Sequence, residues 1–596
     1  MDTPQDIFDV AIVGVGPTGL TLAHLLGRRG LRVLALEREP QFYGNAPSTP
    51  TTNACASSRP RALPPTWRRT CCSTRRCNGF SRTDRCWPSS GGTDRPYGWA
   101  VSNFFYQPYL ETKMERLLAR YPNVTVLRGR ELVNFARDGE GVVAEHAESV
   151  GSQYGQVQAV SPNLSESVRV RAQWLVACDG GRSGVRTSLG IKMVGKSFPE
   201  PWLVVDIKAK EGEDCFRHMP YFNFHCDPKA PTVSCPQPNG HHRFEFLLMP
   251  GQTKEQMEDP ATVRSLLARH IDVDKVEVLR RLVYTFNALV AERWREGRVL
   301  LAGDAAHMTP RFMGQGMSSG VRDAHNLAWK LDAVLRAGAD PKLIDSYESE
   351  RKPHAKEMID ISVKMKNFVS LANPFQAKLR NIVLKTLLNT PKVGDYLREG
   401  RFKPPPTYPL GAYFGLPRRR RNGAEGRPIP QPQVRTHDGR RVLLDDILGE
   451  EFALVGCAAD PRAGLDAKTI AGLEALGARF VALYPFGGRP QGDEVPKDGS
   501  VSAFGSRRPH RRGGRLVPQG RGEEGLGRHR PARQVRLRDD AGCGCGRRRG
   551  AGSRRARRAR RRRGTGGAAC RAGFRLSENS HRPRGRPCIR SSSTPN

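Results

Sequence analysis

Three glycines near the start of the chain have a spacing that suits phosphate binding. Gly14, Gly16 and Gly19 form the pattern G-x-G-x-x-G between an apolar run at 9–13 and a run of helical periodicity at 20–26. The first glycine of such a pattern permits a tight turn, the second lets the backbone reach a pyrophosphate, and the third lets helix and strand pack closely. The helix amino terminus adds free N–H groups. This pattern predicts a dinucleotide site; the alternative is an ordinary glycine turn in an α/β domain.

An acid and three other residues complete this first motif. Glu37 ends a second strand-like run about 20 residues after the glycines, where a carboxylate can bind ribose hydroxyls. Pro17 and Thr18 stand at the predicted start of the helix, and Arg38 directly follows the acid. We therefore include all four in the predicted cofactor site.

Later motifs indicate which dinucleotide is bound. An Asp at the end of a strand can accept a hydrogen bond from a ribityl hydroxyl, and glycines after it let backbone N–H groups approach a ring. A helix amino terminus at the same place would stabilise an anionic reduced flavin. Taken in order, these motifs indicate FAD. The residues concerned are Asp179 after the run 174–178, then Gly303, Asp304 and Ala305 after the run 298–302, and Gly314, Gln315, Gly316 and Met317 at the start of a helix.

With these motifs the chain resembles the class A flavoprotein aromatic hydroxylases, which have the p-hydroxybenzoate hydroxylase fold. It is most similar to the subfamily of 3-(3-hydroxyphenyl)propionate and 3-hydroxycinnamate hydroxylases. The resemblance covers roughly residues 7–47 and 95–490. The segments that carry it beyond the FAD motifs are 172–181, 243–251, 283–288, 326–331 and 347–351.

This resemblance implies a reaction and a set of substrates. The expected reaction is hydroxylation of a phenolic acid beside its hydroxyl group, with NAD(P)H and O2 as co-substrates and FAD as the noncovalent cofactor that carries the difficult chemistry. No metal is needed. A related flavin enzyme that acts on another phenol, a resorcinol or a polyketide is the alternative that stays open.

The resemblance also implies roles for individual residues. Gln107 begins a predicted helix at 107–121 that lies beside the flavin in related enzymes, although plain helix capping would also explain it. A base or acceptor should lie near the substrate hydroxyl, and His307 and Tyr221 are candidates. Arg243 is a candidate for the substrate carboxylate. The alternatives are that His307 is a packing residue and that Arg243 pairs with a local acid.

The elements and the resemblance together predict an α/β fold of several parts. A Rossmann-type FAD-binding domain is expected in two pieces, with an α+β substrate-binding sheet between them. A truncated thioredoxin-like domain and a disordered basic tail are expected to follow. The predicted bounds are 7–199 and 283–400 for the FAD domain, 200–282 for the substrate sheet, 430–500 for the thioredoxin-like domain and 501–596 for the tail.

The net charge of the chain is +38, which on its own would suggest nucleic acid as a partner. From residue 501 onwards, however, there are 28 Arg, no Lys and five acids, so the tail supplies over half of the excess. It shows no aromatic interleaving and no nucleic-acid-binding fold. We therefore expect no nucleic-acid partner, and keep a basic nucleic-acid-binding protein as the alternative from a different class.

Two stretches interrupt the regular pattern of strands and helices. Residues 48–93 and 501–596 are rich in Arg, Ser and Pro, have no hydrophobic period, and contain nine of the 14 cysteines. A GC-rich gene that is translated out of frame encodes a sequence of this composition. We therefore interpret both stretches as frameshifted; a natural disordered insert and a basic tail are the alternative.

One departure from the family pattern follows from the first stretch. The family has Pro-Arg-Ala just after the second strand, and its arginine approaches the flavin and helps it move during reduction. Here Pro47 is followed by Ser48, so the arginine is absent and a covering helix is lost. The enzyme as written is therefore expected to be damaged, with little or no hydroxylase activity.

The sequence also bears on the compartment. We expect no signal peptide, because the segment before the first predicted strand is only eight residues long and is acidic. We also expect no membrane span, because no apolar run approaches the required length. The five cysteines outside the two odd stretches show no paired pattern. A cytoplasmic enzyme without membrane contacts is expected, and a homodimer is compatible with the sequence.

Overall fold

The computed structural model describes residues 7–41, 71–73, 97–99, 103–149, 151, 166–198, 200–219, 222–310, 312, 314–371, 373–398, 402–412, 424–436, 438–485 and 501–503. The predicted tail beyond 503, and most of the stretch 48–93, lie outside these residues. The chain divides into a unit of residues 1–517 and a unit of residues 518–596. All described residues belong to the first unit.

The strands are numbered in chain order. They are β1 (Ile7–Val13), β2 (Val33–Glu37), β3 (Cys71–Ser73), β4 (Asn103–Phe105), β5 (Val124–Arg128), β6 (Arg130–Arg137), β7 (Val142–Glu148), β8 (Val168–Ala177), β9 (Met193–Ser197), β10 (Trp202–Ala209), β11 (Asn223–His225), β12 (Thr232–Pro236), β13 (His241–Leu247), β14 (Val276–Tyr284), β15 (Asn287–Ala291), β16 (Arg295–Glu296), β17 (Val299–Leu301), β18 (His307–Met308), β19 (Gln433–Arg435), β20 (Arg441–Leu443), β21 (Ala453–Cys457), β22 (Arg479–Pro485) and β23 (Val501–Ala503).

The α-helices are numbered in the same way, and short 3-10 helices cover Val273–Lys275, Gly303–Ala305 and Pro341–Ile344. The α-helices are α1 (Pro17–Arg28), α2 (Gln107–Leu118), α3 (Gly184–Ser188), α4 (Lys254–Glu258), α5 (Pro260–Ala268), α6 (Gly316–Leu335), α7 (Asp345–Val369), α8 (Pro374–Asn389), α9 (Val393–Arg398), α10 (Leu444–Leu448) and α11 (Ala467–Ala475).

An eight-stranded sheet carries the first motif. Its main order is β16-β17-β8-β1-β2-β5, and β7 and β6 extend it from the first half of β8. The strands β17, β8, β1, β2 and β5 run parallel. Val10 to Ile12 of β1 have no exposed surface, as expected for a strand that is covered on both faces. Helices α1 and α6 pack against each other over this sheet.

A second, antiparallel sheet has the order β11-β12-β13-β10-β14. One face, with Leu203, Val205 and Phe244, packs against the helices α4 and α5. Side chains alternate along a strand, so Trp202 and Val204 point to the opposite face. That face contacts Phe312 and the end of α7, and therefore looks towards the first sheet and its helices.

The remaining described strands form smaller sheets. Strands β9, β15 and β18 form a three-stranded sheet, and β3 pairs with β4. A mixed sheet with the order β20-β19-β23-β22-β21 lies at the carboxyl end of the described residues. Residues 501–503 complete it as β23, so these three residues of the predicted tail belong to an ordered sheet.

The second sheet contains a buried histidine that is difficult to protonate in the folded state. We therefore expect the fold to lose stability in acid. His242 has no exposed surface, hydrogen-bonds through Nε2 to the Ser234 hydroxyl at 3.1 Å, and stacks on Phe216. Burial, together with His218, His225 and His270, lowers the pKa of His242 to about 3. The unfolded chain, with a histidine pKa near 6.5, therefore binds the proton first as the pH falls.

We expect this difference to cost stability between about pH 6.5 and pH 3. By pH 4.5 the free energy of unfolding should fall by about 2–3 kcal/mol through His242 alone. Thermal unfolding at pH 7.5 and at pH 4.5 measures the loss, and His242→Gln should make it smaller. An equal loss in the variant would show that His242 does not carry the acid sensitivity.

Candidate active site

Four sequence-distant motifs meet at one edge of the main sheet. Because β17, β8, β1 and β2 are adjacent and parallel, their carboxyl ends lie side by side. Gly14 follows β1, Glu37 ends β2, Asp179 follows β8 and Gly303 follows β17. In open α/β sheets, ligands bind in the crevice outside this edge. The fold therefore brings the predicted cofactor residues together.

The three glycines of the first motif have different surroundings. Gly14 has φ +96°, and a Cβ atom there would lie 2.5 Å from the Cys178 carbonyl oxygen. A Cβ atom on Gly19 would lie 2.0 Å from the carbonyl oxygen of Gly14. Gly16, in contrast, precedes α1 in an extended conformation, and apart from its chain neighbours a Cβ atom there would have no neighbour within 4 Å among the described residues. The open space at Gly16 fits a pyrophosphate at the start of α1, where Pro17 is the first helical residue.

The Glu37 carboxylate links the end of β2 to the glycine turn through hydrogen bonds. It accepts hydrogen bonds from the backbone N–H groups of Val15 at 2.8 Å and Glu39 at 3.1 Å. Each carboxylate oxygen has two lone pairs, so both can still accept a hydroxyl. Arg38 pairs with the side chain of Glu39 at 3.3 Å.

Asp179 carries an unsatisfied acceptor at the same edge. Its Oδ2 accepts the Val185 N–H group at 3.2 Å, whereas Oδ1 is buried and has no hydrogen-bond partner within the part of the chain that the structure describes. Burial raises the pKa of this carboxyl group. A buried acceptor without a partner is rare in folded proteins, and a ligand hydroxyl would satisfy it. Here the residues present fit a polyhydroxylated cofactor.

The turn after β17 is packed directly onto α1. Gly303 has φ +61°, and a Cβ atom there would lie 2.6 Å from the Thr18 hydroxyl oxygen. The next residue, Asp304, is exposed, while Ala305 is buried and its carbonyl oxygen accepts Nη1 of Arg186 at 3.1 Å. Thr18 therefore fixes the distance between α1 and the turn.

The last glycine motif lies at the amino terminus of α6. Gly314 has φ +57°, Gln315 is buried, and a Cβ atom on Gly316 would have no neighbour within 4 Å. Met317 packs against the core of the main sheet. An open helix start of this kind suits the approach of a ring to backbone N–H groups.

Gln107 is the first residue of α2, as predicted. Its Nε2 donates to Glu111 at 2.6 Å, and its Oε1 is buried with no hydrogen-bond partner among the residues described. Burial raises the pKa of Glu111 to about 7, and the negative charge of Glu37 contributes. The start of α2 therefore lies close enough to Glu37 for the charge of that carboxylate to affect Glu111. Gln107 retains one acceptor oxygen that a ligand could use.

His307 lies inside the protein. Its Nε2 is 2.6 Å from Oδ2 of Asp323, and its ring centroid is 5.1 Å from that of Trp294. The residue has no exposed surface. Because Nε2 is held by Asp323 and the ring is buried, this placement favours the packing role over the proton-carrier role.

Arg243 is also fully buried and pairs with an acid of the neighbouring strand. Its guanidinium contacts both oxygens of Asp206, with Nη2 at 2.8 Å from Oδ2. Arg280 approaches the same Oδ2 at 3.4 Å, and Glu245 is buried beside the cluster. Two cations and two acids balance one another, which favours the local-pairing interpretation of Arg243.

The face of the second sheet that looks towards α6 and α7 is aromatic and apolar. Trp202 packs edge-on against Phe312 with ring centroids 5.1 Å apart, and against Phe286 at 6.1 Å. Such a surface can exclude water from a flat aromatic substrate. Tyr221, the other predicted catalytic residue, lies outside the described residues.

Sequence reasoning missed Asp323. It receives hydrogen bonds from Gly303, His307 and Arg351 and has no exposed surface. The available signal was an acid within the long amphipathic segment that follows the glycine loop, and an arginine in the next one. Their pairing could not be read from spacing, because it depends on how α6 packs on α7.

Family models match two parts of the chain. The FAD binding domain model matches residues 8–58 and 65–362, and the HcaD C-terminal domain model matches residues 426–503. The break at 59–64 falls within the first odd stretch, and the second match ends where the described residues end. The fold and the site thus define a FAD-dependent oxidoreductase.

Sequence relatives show which kind of FAD-dependent oxidoreductase the chain resembles. The chain is 38% identical over 490 residues to a 3-(3-hydroxy-phenyl)propionate/3-hydroxycinnamic acid hydroxylase of Klebsiella pneumoniae (strain 342), which covers 81% of this chain and 84% of the relative. It is 34% identical over 539 residues to the enzyme of that name from Comamonas testosteroni, with 81% and 87% covered. The chain therefore belongs to the family of FAD-dependent aromatic hydroxylases, which use NAD(P)H as co-substrate.

Solved structures show the same fold. The flavin-dependent monooxygenase PieE aligns with a TM-score of 0.63 and 20% identity, over 81% of this chain and 90% of that one. Aklavinone-11 hydroxylase aligns with a TM-score of 0.61 and 23% identity, over 83% and 91%. These matches do not favour the nucleic-acid-binding alternative. None of the described helices is both long and apolar enough to cross a bilayer.

Proposed function

We propose that the chain hydroxylates 3-(3-hydroxyphenyl)propionate, or a closely related phenolic acid, to the catechol in the breakdown of aromatic compounds. The observation that carries the proposal is the meeting of Gly16, Glu37, Asp179 and Asp304 at one edge of the main sheet. The names of the relatives at 34% to 38% identity support the choice of substrate. Solved neighbours such as aklavinone-11 hydroxylase share the fold at 23% identity or so, and they support the alternative of another substrate less.

In this proposal the residues at the edge of the sheet hold FAD. The open backbone at Gly16 and the start of α1 bind the pyrophosphate, and Glu37 accepts from a ribose hydroxyl. Asp179 and Asp304 accept from further hydroxyls, and Gln107 supplies its unpartnered oxygen. When bound, FAD takes a hydride from NAD(P)H and activates O2 for transfer of one oxygen atom to the ring.

The protein supplies position and a dry surface for the substrate. The aromatic face around Trp202, Phe286 and Phe312 would cover the phenol ring. Proton transfer from the phenol remains a role predicted for Tyr221 or His307, and carboxylate recognition a role predicted for Arg243. The buried pairings of His307 and Arg243 support positioning roles for both.

The domain assignment stays part of the proposal. We assign residues 7–199 and 283–400 to FAD binding, and 200–282 to the substrate. The carboxyl-terminal sheet of β19 to β23, with α10 and α11, is proposed to be a thioredoxin-like domain shortened by the aberrant tail. A cytoplasmic location and a homodimer are proposed from the sequence.

The proposed function can be tested on the full chain. The purified protein should be yellow, and its absorption spectrum after denaturation should be that of released FAD. Oxidation of NADH or NADPH should then be followed with a panel of phenols. We expect 3-(3-hydroxyphenyl)propionate to stimulate it more than phenylpropionate, which lacks the hydroxyl. Colourless protein that FAD does not restore, or equal rates with both acids, would count against the proposal.

Asp304 gives a further prediction. Asp304→Ala should leave FAD hydroxyl groups without an acceptor, at a cost of about 1–3 kcal/mol. The dissociation constant of FAD should therefore rise roughly five- to 150-fold. Asp274→Ala is the matched control, because Asp274 is exposed on the far side of the substrate sheet in a pair with Arg264. Equal FAD affinity in the two variants would remove Asp304 from the site.

A further inference from the structure

Two fully buried ion pairs join α6 to α7. Arg351 donates through Nε to Oδ1 of Asp323 at 2.8 Å, and Lys330 donates to Glu350 at 2.6 Å. None of the four side chains has exposed surface. The pairs stand on the same two helices and involve adjacent residues of α7. They differ in what else their carboxylates contact.

The Glu350 carboxylate stays within the helix pair and the segment that follows. It accepts from Asn326 and Lys330, and from the backbone N–H group of Ala412 at 2.8 Å. None of these groups belongs to the edge of the main sheet where the cofactor residues meet. Within the described residues, the contacts of this pair therefore serve the packing of α6, α7 and residues 402–412.

The Asp323 carboxylate reaches the turn after β17. Its Oδ2 accepts the backbone N–H group of Gly303 at 3.0 Å and lies 2.6 Å from Nε2 of His307. One oxygen atom thus holds both ends of the segment 303–307. Asp304 stands inside that segment, one residue from the held N–H group.

The negative charge of Asp323 is stabilised by its neighbours in and beside the α6–α7 pair. Burial would raise the pKa of Asp323, but the interactions of its carboxylate with His307 and with the Arg351 guanidinium hold that pKa below the usual range. Arg351 is itself fixed, because its Nη2 donates to the Ser319 carbonyl oxygen at 3.2 Å. Hydrogen bonds to an ionised acceptor are stronger than those to a neutral one. The position of the turn therefore depends on an ionised carboxylate.

We propose that Asp323 is a positioning residue of the flavin site, oriented by Arg351, which sets the place of Gly303 and Asp304 and through them the environment of the flavin. The inference rests on the proposed function, since it assumes that FAD lies at this edge. Asp323 itself is buried and would not touch the cofactor. Loss of its charge should change how FAD is held even when the protein remains folded.

The test compares Asp323→Asn with Glu350→Gln. Each variant neutralises one buried carboxylate of the α6–α7 pair at similar volume, so both should lower the melting temperature of the apoprotein. We expect only Asp323→Asn to raise the dissociation constant of FAD, at least tenfold, and to change the visible spectrum and reduction potential of the bound flavin. Glu350→Gln should bind FAD with wild-type affinity, spectrum and potential.

The outcomes separate the inference from the function on which it rests. If the wild-type protein binds no FAD, the proposed function fails. If the wild type binds FAD and Asp323→Asn matches Glu350→Gln in affinity, spectrum and potential, the positioning role is wrong. Should Asp323→Asn not fold, Arg351→Lys keeps the buried charge but loses the second anchor on Ser319. A raised dissociation constant in that variant supports the role, and a wild-type value overturns it.

Discussion

Gly16→Val should yield a folded protein without yellow colour. Apart from its chain neighbours, no atom of the described residues lies within 4 Å of a Cβ atom at Gly16, and the backbone there has φ −74°, which any residue adopts. The added side chain should therefore leave the fold intact. It would fill the open space at the start of α1, where the pyrophosphate of FAD must approach the backbone. We expect no FAD to be retained through purification.

The matched control is Gly472→Val. This glycine lies in α11, and a Cβ atom there also has no neighbour within 4 Å. Both variants should melt as the wild-type apoprotein does, and only the first should lose FAD. Substitution of Gly14 or Gly19 should instead reduce the yield of folded protein, because a Cβ atom would overlap backbone atoms there. A Gly16→Val protein with a full complement of FAD would refute the assignment of the pyrophosphate site.

The second large effect concerns residues 48–93. We expect the chain as written to form little hydroxylated product for each NAD(P)H consumed. The family's arginine is absent after Pro47, and the sequence that should form a covering helix has no helical period. Oxygen that is activated at a flavin open to water is lost as hydrogen peroxide. Restoring a periodic strand–helix sequence over this stretch, with Arg at position 48, should recover product formation.

The measurement is the ratio of catechol product to NAD(P)H oxidised with 3-(3-hydroxyphenyl)propionate, together with the hydrogen peroxide released. The control restores the periodic sequence but keeps Ser48, which separates the contribution of the arginine from that of the helix. Resequencing the gene across codons 48–93 and 501–596 tests the frameshift directly. Efficient coupling by the chain as written would contradict both the frameshift interpretation and the role given to the arginine.

Local motifs explain why much of the cofactor site could be predicted. Gly14, Glu37 and Gly303 each follow an apolar run, and a strand with such a run must be buried in a parallel sheet. The carboxyl ends of parallel neighbours share one edge, so the motifs converge whatever the length of chain between them. Helix bounds followed periodicity closely: 107–121 was predicted for α2, which ends at Leu118.

Side-chain pairs that join two different strands or helices could not be predicted from the sequence. Arg243 meets Asp206 because β10 and β13 are antiparallel in a register that places the two residues opposite each other. Asp323 reaches Gly303 because α6 packs against the 3-10 helix Gly303–Ala305 that follows β17. Neither register nor packing is encoded in the spacing of residues along one element. Sequence spacing alone therefore leaves the buried pairings of His307 and Arg243 as alternatives to their predicted catalytic roles.

The order of strands in the main sheet has a consequence for synthesis. Strand β1 lies between β2 and β8, but β8 begins at residue 168 and β17 at residue 299. At a ribosome speed of about 5–20 residues per second, β1 waits on the order of ten seconds for its second neighbour. During that interval its apolar residues have an open edge that other chains can pair with. Chaperone binding to the nascent amino-terminal segment would protect it until β8 emerges, and a ribosome pause before residue 168 would lengthen the exposure.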